Sequence, residues 1–281
     1  MSLADKYYKE EVNKILTEGF NDEAFEVRPK WPDGTPAHTI KTFCAVRRYD
    51  LSKEFPILTL RTQAFKGVVR ELLWMWQKKS NVVDELGKSA AIWRAWEDKD
   101  GTIGKTYGYQ LGKVSDYGYG TFDQVDNLIY LLKNKPMDRR MITTMWCPNE
   151  LKDMMLPPCV YETLWDVSDG KLNCTVIQRS GDLLAAAASG GWDTMQYALL
   201  THMLAQVCGY EVGELVHIVN NLHIYDRHVE AVKEIMNNPE YPAPTLKLNP
   251  NVRDFYEFTE DDFELVDYQS TKLVNRFEVA E

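Results

Sequence analysis

The segment 156–196 decides how this chain folds, and it holds three short motifs in close succession. They are Leu156-Pro157-Pro158-Cys159, Gln178-Arg179-Ser180-Gly181-Asp182 and Gly190-Gly191-Trp192-Asp193. Two prolines in a row exclude helix and hold the backbone extended, so Cys159 is presented with little conformational freedom. A lone cysteine is more often an ordinary buried residue, but the second motif adds an arginine and a serine, which are residue types that bind phosphate. Cys159 is therefore a candidate nucleophile beside an anion site.

Strand and helix patterns alternate around this cysteine. Residues 160–167 and 171–179 are strand-like and flank Asp169-Gly170, which is a strong hairpin signal. Residues 194–208 are apolar on nearly every face, so they predict a central helix that ends at Gly209. The other predicted elements are helices at 3–16, 66–79, 125–134 and 226–237 and strands at 39–49, 55–60, 140–146 and 214–219.

Residues 81–119 predict a long irregular region that is rich in glycine and aromatic residues. Loops of this length in a compact domain are usually functional. The sequence contains no internal repeat, low-complexity tract or flexible linker. Long helices interspersed with strands and hairpins favour one α+β domain over residues 1–281, with a large mixed β-sheet packed against helices.

Composition excludes several classes of function. The 281 residues carry 32 basic and 42 acidic side chains, which give a formal net charge of −10. A general nucleic-acid or membrane-surface binder would show a basic excess, so an anionic substrate needs a local arginine cluster here. Five cysteines without metal-type spacing indicate a reducing compartment rather than a disulfide framework. The sequence shows neither an apolar run that could span a membrane nor a signal-peptide pattern, and we expect a cytoplasmic protein.

Several arginines complete the candidate anion site. Arg179 can favour the thiolate form of Cys159, since a free thiol has a pKa of about 8.5. Arg28 and the pair Arg139-Arg140 can add to a phosphate clamp, although such a pair commonly lies on a solvated face.

Glu71 is a candidate for proton transfer. It lies beside the apolar stripe of the predicted helix 66–79, between Arg70 and Leu72. Burial would raise its pKa and suit it to exchange protons near neutral pH. The alternative is a charge at the edge of the stripe that simply reaches water.

Over almost its whole length the chain resembles the thymidylate synthase family, which includes the pyrimidine-nucleotide hydroxymethylases. Seven motifs occur in the family's order and at compatible spacings, and this makes the resemblance specific. Residues 28–39 most resemble the Bacillus-type branch of the family. The seven motifs are Glu71-Leu72-Leu73-Trp74, Ile92-Trp93-Arg94-Ala95-Trp96, Gly104-Lys105-Thr106-Tyr107-Gly108, Arg139-Arg140, Leu156-Pro157-Pro158-Cys159, Gln178-Arg179-Ser180-Gly181-Asp182 and His223-Ile224-Tyr225.

The resemblance implies a covalent mechanism. Cys159 would add to carbon 6 of a pyrimidine nucleoside monophosphate, and carbon 5 would then attack the one-carbon unit of methylene-tetrahydrofolate. Such an addition splits a difficult carbon–carbon bond formation into easier steps. Glu71 would organise proton transfers through water, and Tyr107 would lie near the proton at carbon 5.

The resemblance also implies a homodimer that forms through its sheets and shares each active site across the interface. Arg139 and Arg140 of the partner subunit would reach the phosphate. No metal ion is implied, and His223 and His228 lack the spacing of a known metal site. The other implied binding residues are Arg28, Arg179 and Ser180 for the phosphate, His223 and Tyr225 for the sugar, and Trp93, Leu156 and Asp182 for the folate.

Asp193 departs from the methylating pattern of the family. Counted back from Gln196, it occupies the position where thymidylate synthases carry the asparagine that reads the base. A carboxyl group suits cytosine, because it accepts from the amino group and shares a proton with the ring nitrogen. Asp193-Thr194-Met195-Gln196 also predicts a helix cap, which asparagine would form equally well.

Other departures are weaker. Residues 185–191 are a few residues longer than the family's common form, and Val160 replaces a histidine. Asn221 replaces an acidic residue, and the hydroxymethylases share that change. A terminal Glu281 replaces the apolar last residue that closes over the folate.

Three functions follow from these observations. Asp193 favours a folate-dependent cytidylate (dCMP) hydroxymethylase, in which water captures the exocyclic methylene intermediate. The alternative is thymidylate synthase, in which tetrahydrofolate delivers a hydride to the same intermediate and dUMP becomes thymidylate. A remote alternative is a non-catalytic homologue that binds nucleotide or RNA, which the presence of Cys159 and Glu71 disfavours. The sequence leaves dCMP, dUMP and CMP open as substrates.

Overall fold

The structure is a computed structural model that describes residues 2–272 and 277–280. Glu281, which the sequence marks as a departure from the family, lies outside the described residues. The strands are β1 (Phe20–Asn21), β2 (Thr39–Asp50), β3 (Ser115–Asp116), β4 (Thr121–Phe122), β5 (Ile142–Thr144), β6 (Val160–Ser168), β7 (Lys171–Asp182), β8 (Glu211–Tyr225), β9 (Thr245–Leu248) and β10 (Phe263–Val266). The α-helices are α1 (Leu3–Glu18), α2 (Phe65–Leu72), α3 (Gly108–Leu111), α4 (Gln124–Asn134), α5 (Trp192–Cys208) and α6 (Val229–Met236).

Six strands form one mixed sheet in the order β1-β2-β8-β7-β6-β5. The β7–β8 pair is parallel and the other four pairs are antiparallel. Two small antiparallel sheets, β3-β4 and β9-β10, complete the set. The expected α+β fold with a large mixed sheet is therefore confirmed.

The two faces of the sheet differ in burial. Alternate residues of a strand point to opposite faces, and on β7 the inward set Leu172, Cys174 and Val176 is at most 1% exposed. The opposite face is only half-buried on the central strands and carries exposed apolar side chains on β2. Phe43 is 79% exposed there and Val46 is 54% exposed. One face of the sheet thus packs on the core, and the other keeps apolar surface uncovered.

Helix α5 makes the crossover between the parallel strands and fills the centre of the core, as the sequence predicts. It begins at Trp192 after Gly191 and ends at Gly209, which adopts the left-handed conformation with φ 79°. The predicted cap by Asp193 is wrong. Because the helix begins one residue earlier, the Asp193 side chain turns to Gln178 of β7 instead of the helix backbone.

Helix α2 continues into a π-helical turn, Leu73–Gln77, where the sequence predicts one unbroken α-helix. Such turns often mark functional sites because they change the direction in which side chains project. Glu71 lies in the last turn of α2, just before this change, and is 4% exposed. The alternative in which its charge simply reaches water is therefore wrong.

Residues 55–60 are buried but form no strand, contrary to the prediction. The backbone amide of Phe55 donates to Pro244 O, and that of Leu58 donates to Gly190 O. Both acceptors lie outside helices and strands, so residues 55–60 are buried by packing and do not pair with another strand. The irregular region holds two 3₁₀ helices, Val83–Ile92 and Arg94–Trp96. A search of the described residues finds no helix with the length and apolar character that crossing a membrane requires.

Candidate active site

Cys159 lies directly before β6, half-buried, against the end of β7. Its carbonyl oxygen accepts a hydrogen bond of 2.9 Å from the Arg179 amide. The Arg179 guanidinium donates to Pro158 O at 2.9 Å and to Pro157 O at 2.7 Å, and its Nη2 lies 3.8 Å from Cys159 Sγ. The two prolines thus supply the carbonyls that hold the guanidinium beside the sulfur.

Two opposing effects act on the Cys159 thiol. Burial raises its pKa, and the nearby Asp193 carboxyl group acts in the same direction. The charges of Arg179 and Arg28 lower it, as the sequence leads us to expect for Arg179. Burial outweighs the arginines in the free chain, so the pKa stays above the ordinary value for cysteine.

Tyr107 faces Cys159 from the irregular region. Its hydroxyl oxygen accepts a hydrogen bond of 3.1 Å from the Cys159 amide, and its ring packs edge-on against Trp93 at 5.4 Å. Burial raises the pKa of Tyr107 well above its usual value, so the phenol keeps its proton. Its φ of 45° is rare for a residue other than glycine, and strain of this kind concentrates at functional sites.

Glu71 is held by three N–H donors. Oε2 accepts from Trp93 Nε1 at 2.8 Å, while Oε1 accepts from Trp192 Nε1 at 2.7 Å and from Gln196 Nε2 at 3.2 Å. Burial raises the pKa of Glu71, and the three donors oppose that rise because they favour the ionised form. The carboxyl group is therefore fixed in orientation, and its pKa stays above the ordinary value for glutamate.

Sequence reasoning missed Trp192 and Gln196 as partners of Glu71. Both belong to α5, whose first turn places them on the side that faces α2. A signal was present, because the two residues are four positions apart and share one helix face. The sequence could not indicate that this face would meet Glu71.

Asp193 accepts a hydrogen bond of 2.8 Å from Gln178 Nε2 through its Oδ2 atom. Burial and the neighbouring Glu71 carboxyl group raise the pKa of Asp193 to about 7, against the lowering effects of Gln178 and Arg47. Asp193 also influences the pKa values of Cys159 and Tyr107. These four groups, Asp193, Glu71, Cys159 and Tyr107, surround one site.

The predicted phosphate ligands divide into two groups. Arg28 acts electrostatically on both Cys159 and Tyr225. Ser180 follows Arg179 on β7, so these residues gather near the C-terminal end of that strand. Arg139 and Arg140 are exposed, and neither is among the charges that act on Cys159. Arg140 instead binds Asp138, at 2.6 Å between Nη2 and Oδ2, and the arginine side chain is 74% exposed.

The predicted sugar ligands lie at the C-terminal end of β8, next to the C-terminal end of β7. Ser180 on β7 pairs in parallel register with Asn221 on β8, and Asp182 pairs with His223. His223 Nδ1 lies 3.1 Å from Asn221 Oδ1, and its ring packs edge-on against Tyr225 at 5.0 Å. Burial lowers the pKa of His223, so the ring is neutral and can both donate and accept.

The predicted folate ligands have different local partners. Trp93 donates to Glu71, Leu156 O accepts a hydrogen bond of 3.0 Å from Thr106, and Asp182 Oδ1 accepts from the Leu184 amide at 2.9 Å. A cleft of about 540 Å³ is lined in part by Trp192, whose indole N–H donates to Glu71. Its apolar and cationic lining includes Phe65, Lys66, Arg70, Lys88, Ile92 and Trp192.

Within residues 2–272 and 277–280, no three or more His, Cys, Asp and Glu side chains are grouped so that they could hold a metal ion. The site instead offers a thiol, two carboxyl groups of raised pKa, a protonated phenol and an arginine clamp. This set suits nucleophilic addition with proton transfer on an anionic substrate.

Comparison with known proteins gives a consistent result. The family model described as thymidylate synthase matches residues 6–280. Thymidylate synthase 1 of Bacillus spizizenii is 47% identical, and thymidylate synthase of Bacillus phage phi3T is 46% identical; each alignment covers 100% of both chains. The solved structure of thermostable thymidylate synthase A from Bacillus subtilis superposes with a TM-score of 0.91 at 45% identity, covering 99% of each chain. The chain therefore belongs to the thymidylate synthase family, a family of methylene-tetrahydrofolate-dependent transferases that act at carbon 5 of a pyrimidine nucleotide.

Proposed function

We propose that this chain is a thymidylate synthase, which converts dUMP to thymidylate. Full-length similarity carries the proposal, since relatives at 46–47% identity that align with all of the chain bear that name. The site geometry supports the same chemistry, because a buried thiol lies beside an arginine and two carboxyl groups.

In this proposal Cys159 is the nucleophile. Its sulfur adds to carbon 6 of the pyrimidine, and electron density moves to carbon 5. The Arg179 guanidinium, 3.8 Å from the sulfur, stabilises the thiolate that attacks. A nucleotide phosphate held by Arg28 and Arg179 would anchor the pyrimidine near the sulfur, and this proximity favours the addition.

Glu71 and Tyr107 handle protons in this proposal. Glu71 exchanges a proton through water with the carbonyl oxygen at carbon 4 of the pyrimidine, and its three N–H donors hold the carboxyl group in one orientation. Tyr107 holds its hydroxyl at the Cys159 amide and is placed for the proton that leaves carbon 5. Burial raises the pKa of both groups.

We propose that nucleotide binding uses the neighbouring C-terminal ends of the parallel strands β7 and β8. Arg28, Arg179 and Ser180 hold the phosphate, and His223 and Tyr225 hold the sugar hydroxyl. Arg139 and Arg140 of the partner subunit complete the phosphate site. The exposed apolar side chains Phe43 and Val46 on the open face of the sheet support a homodimer that forms through this face.

The cleft beside Trp192 fits the folate cosubstrate. Its apolar walls suit a flat ring system, and its lysines and arginine suit an anionic tail. When bound, methylene-tetrahydrofolate supplies the one-carbon unit. Trp93, Leu156 and Asp182 remain proposed folate ligands. Trp192 lines the cleft and donates a hydrogen bond to Glu71.

We also propose a cytoplasmic location. All five cysteines are free thiols in the structure. A reducing compartment keeps such thiols reduced, and Cys159 must be reduced to react.

Asp193 favours a second candidate, a cytidylate hydroxymethylase. A carboxyl group with a pKa of about 7 can hold a proton for the ring nitrogen of cytosine and accept from its amino group. The relatives favour the first candidate and this single residue favours the second. Both candidates share Cys159, Glu71 and the same cosubstrate.

One experiment distinguishes the two candidates. The protein is incubated with methylene-tetrahydrofolate and dUMP, dCMP or CMP, and the products are identified by mass. Thymidylate with dihydrofolate supports the first candidate, whereas hydroxymethyl-dCMP with tetrahydrofolate supports the second. Asp193→Asn should then shift preference toward dUMP by about tenfold or more if the carboxyl group reads the base.

A further inference from the structure

A chain of hydrogen-bonded side chains leads from the core of the protein to Asp193. Thr194 Oγ1 lies 3.1 Å from His217 Nδ1, and His217 Nε2 lies 2.8 Å from Gln178 Oε1. Gln178 Nε2 in turn lies 2.8 Å from Asp193 Oδ2. The members come from β7, β8 and α5, so the chain exists only where these elements pack together.

The orientation of the Gln178 amide is fixed by a backbone carbonyl. Gln178 Nε2 lies 2.9 Å from Ser180 O, which can only accept a hydrogen bond. The amide nitrogen must therefore point toward Ser180 and Asp193, and its two hydrogens serve these two acceptors. Oε1 is left facing His217.

The tautomer of His217 follows from this orientation. Gln178 Oε1 is an acceptor, so His217 Nε2 must carry a hydrogen. Burial and the charge of Arg47 lower the pKa of His217 well below its ordinary value, so the ring is neutral. Its Nδ1 is then an acceptor and receives the hydroxyl hydrogen of Thr194, whose Oγ1 lies closer to Nδ1, at 3.1 Å, than to its other acceptor Ala188 O, at 3.5 Å. In each of these three hydrogen bonds the donor is the group farther from Asp193 in the series, so every donated hydrogen points toward Asp193.

This direction decides which oxygen of Asp193 can carry a proton. Oδ2 accepts from Gln178, so a proton on the carboxyl group lies on Oδ1. Within the described residues Oδ1 forms no hydrogen bond, and it is not among the fully buried atoms that lack a partner. Oδ1 therefore faces open space in the site.

We propose that His217 is a positioning residue for base recognition, which fixes the Gln178 amide and thereby makes Asp193 Oδ1 the proton-carrying oxygen that faces the pyrimidine. The proposal rests on the proposed function, because it requires a pyrimidine against Asp193. A proton on Oδ1 serves an acceptor on the base edge, which is the ring nitrogen in cytosine and the carbonyl oxygen at carbon 4 in uracil. Without the Nε2 hydrogen of His217, Gln178 Oε1 loses its donor, and only the bonds of Nε2 to Ser180 O and Asp193 Oδ2 still oppose rotation of the amide about its last bond.

The proposed chain leaves the other groups around Asp193 in place. A substitution of His217 acts directly on Gln178 and Thr194, the two side chains to which it is hydrogen-bonded. The titratable and charged groups that act on Asp193 from the surrounding elements are Arg47, Glu71, Tyr107, Cys159 and Tyr197.

The first test measures the tautomer of His217 in the intact protein. Histidine labelled with ¹⁵N reports which ring nitrogen carries hydrogen, and the His217 signals are assigned by their loss in His217→Gln. We expect a neutral ring with hydrogen on Nε2 at neutral pH. A ring with hydrogen on Nδ1, or a doubly protonated ring, overturns the proposal. This readout does not depend on activity.

The second test measures base preference as the ratio of kcat/KM for dUMP and dCMP. His217→Phe removes the donor at similar volume, and we expect the ratio to move toward unity by about tenfold or more. His217→Gln replaces the donor with an amide N–H and should restore the parent ratio to within about threefold. A purely structural role would lower stability in His217→Phe without changing the ratio.

His202→Phe is the matched control, because His202 is half-buried on another part of α5 and its buried Nε2 atom has no hydrogen-bond partner within the described residues. It should keep the parent ratio. An unchanged ratio in His217→Phe overturns the proposal, as does a folded His217→Gln protein that fails to restore it. Should His217→Phe not fold, the tautomer measurement decides. A parent protein that converts neither nucleotide counts against the proposed function, while the tautomer still tests the role of His217.

Discussion

Glu71 Oε1 accepts a hydrogen bond from Trp192 Nε1 at 2.7 Å, although 121 positions separate the two residues in the chain. The bond ties the last turn of α2 to the first residue of α5. Together with the bond from Trp93, it places an indole N–H on each oxygen of the carboxyl group. Burial favours the neutral acid and these donors favour the carboxylate, so small changes in the donors change the pKa of Glu71.

Trp192→Phe tests this balance. It removes one donor to the carboxylate, so the pKa of Glu71 should rise further. We expect the acidic limb of the kcat/KM profile, which reports the ionised carboxyl group, to move to higher pH by about half to one unit. Steady-state kinetics across the profile measure this shift. Trp165→Phe on β6 is the control for loss of an indole, and an unmoved limb in Trp192→Phe would remove this bond from the proton chemistry.

Cys159→Ser should abolish turnover, because a serine hydroxyl is far less acidic and a much weaker nucleophile than a thiol. We expect kcat to fall by about three orders of magnitude or more while nucleotide binding, measured by calorimetry, is kept. Replacement of Cys44, Cys147, Cys174 or Cys208 by serine should change mainly the melting temperature. Full activity in Cys159→Ser would refute covalent catalysis.

Arg140→Ala tests whether the active sites are shared between subunits. A charge-assisted phosphate contact contributes about 1.5–3 kcal/mol, so its loss should raise the nucleotide KM about tenfold or more. Mixed with Cys159→Ser protein, Arg140→Ala protein should recover activity, because one site of the heterodimer then holds both native residues.

The matched control for this mixing experiment is Arg179→Ala. Arg179 contacts Cys159 of its own chain at 3.8 Å, so the same mixture made with Arg179→Ala should recover nothing. Subunit exchange is verified by mass spectrometry of tagged chains. Verified exchange without recovery in the Arg140→Ala mixture would argue against shared sites.

Asp193 should make the stability of the protein depend on pH. Its pKa of about 7 in the folded chain exceeds the value of about 3.9 in an unfolded chain. Between these values the folded state holds a proton that the unfolded state has lost. The stabilisation is therefore fully present below about pH 4 and is lost as the pH rises to about 7, by up to about 1.4 kcal/mol per unit.

Asp193→Asn removes this titration, so the variant should gain stability relative to the parent as the pH rises through the same range. Urea denaturation at several pH values measures the difference in free energy of unfolding. Asp261→Asn, at a carboxylate whose side chain is 91% exposed, should give a difference that does not vary with pH. If the difference in free energy of unfolding for Asp193→Asn did not vary with pH, the Asp193 carboxyl group would titrate near its ordinary value.

The parts of the site that depend on one hairpin could be predicted from the sequence. The Asp169-Gly170 turn joins β6 to β7 and pairs Val160 with Gln178, which brings Cys159 next to Arg179. Turn chemistry and strand pattern determine that register, so the motif spacing was informative. Helix α5 was equally clear because it is apolar on nearly every face.

Other parts could not be predicted because they depend on which elements meet. The apolar pattern of residues 55–60 indicates burial, but it does not indicate whether another strand is available to pair. The sequence predicts that Asp193 caps α5, yet the helix begins at Trp192 and the Asp193 side chain accepts from Gln178 instead. The contact of Glu71 with Trp192 likewise follows only from the packing of α2 on α5.

The parallel pairing of β7 with β8 builds the proposed nucleotide site from two strands that are joined only through α5. Ser180 and Asn221 become neighbours only after α5 has crossed between the strands and packed, and non-local contacts of this kind form slowly. A nucleotide that contacts both strands binds the folded protein, in which β7 and β8 are paired, and not the unfolded chain. At about one hundred times its Kd, it would add about 2.7 kcal/mol to the stability of the fold. A cell rich in substrate would thereby protect the enzyme from proteolysis, and depletion of substrate would shorten its lifetime.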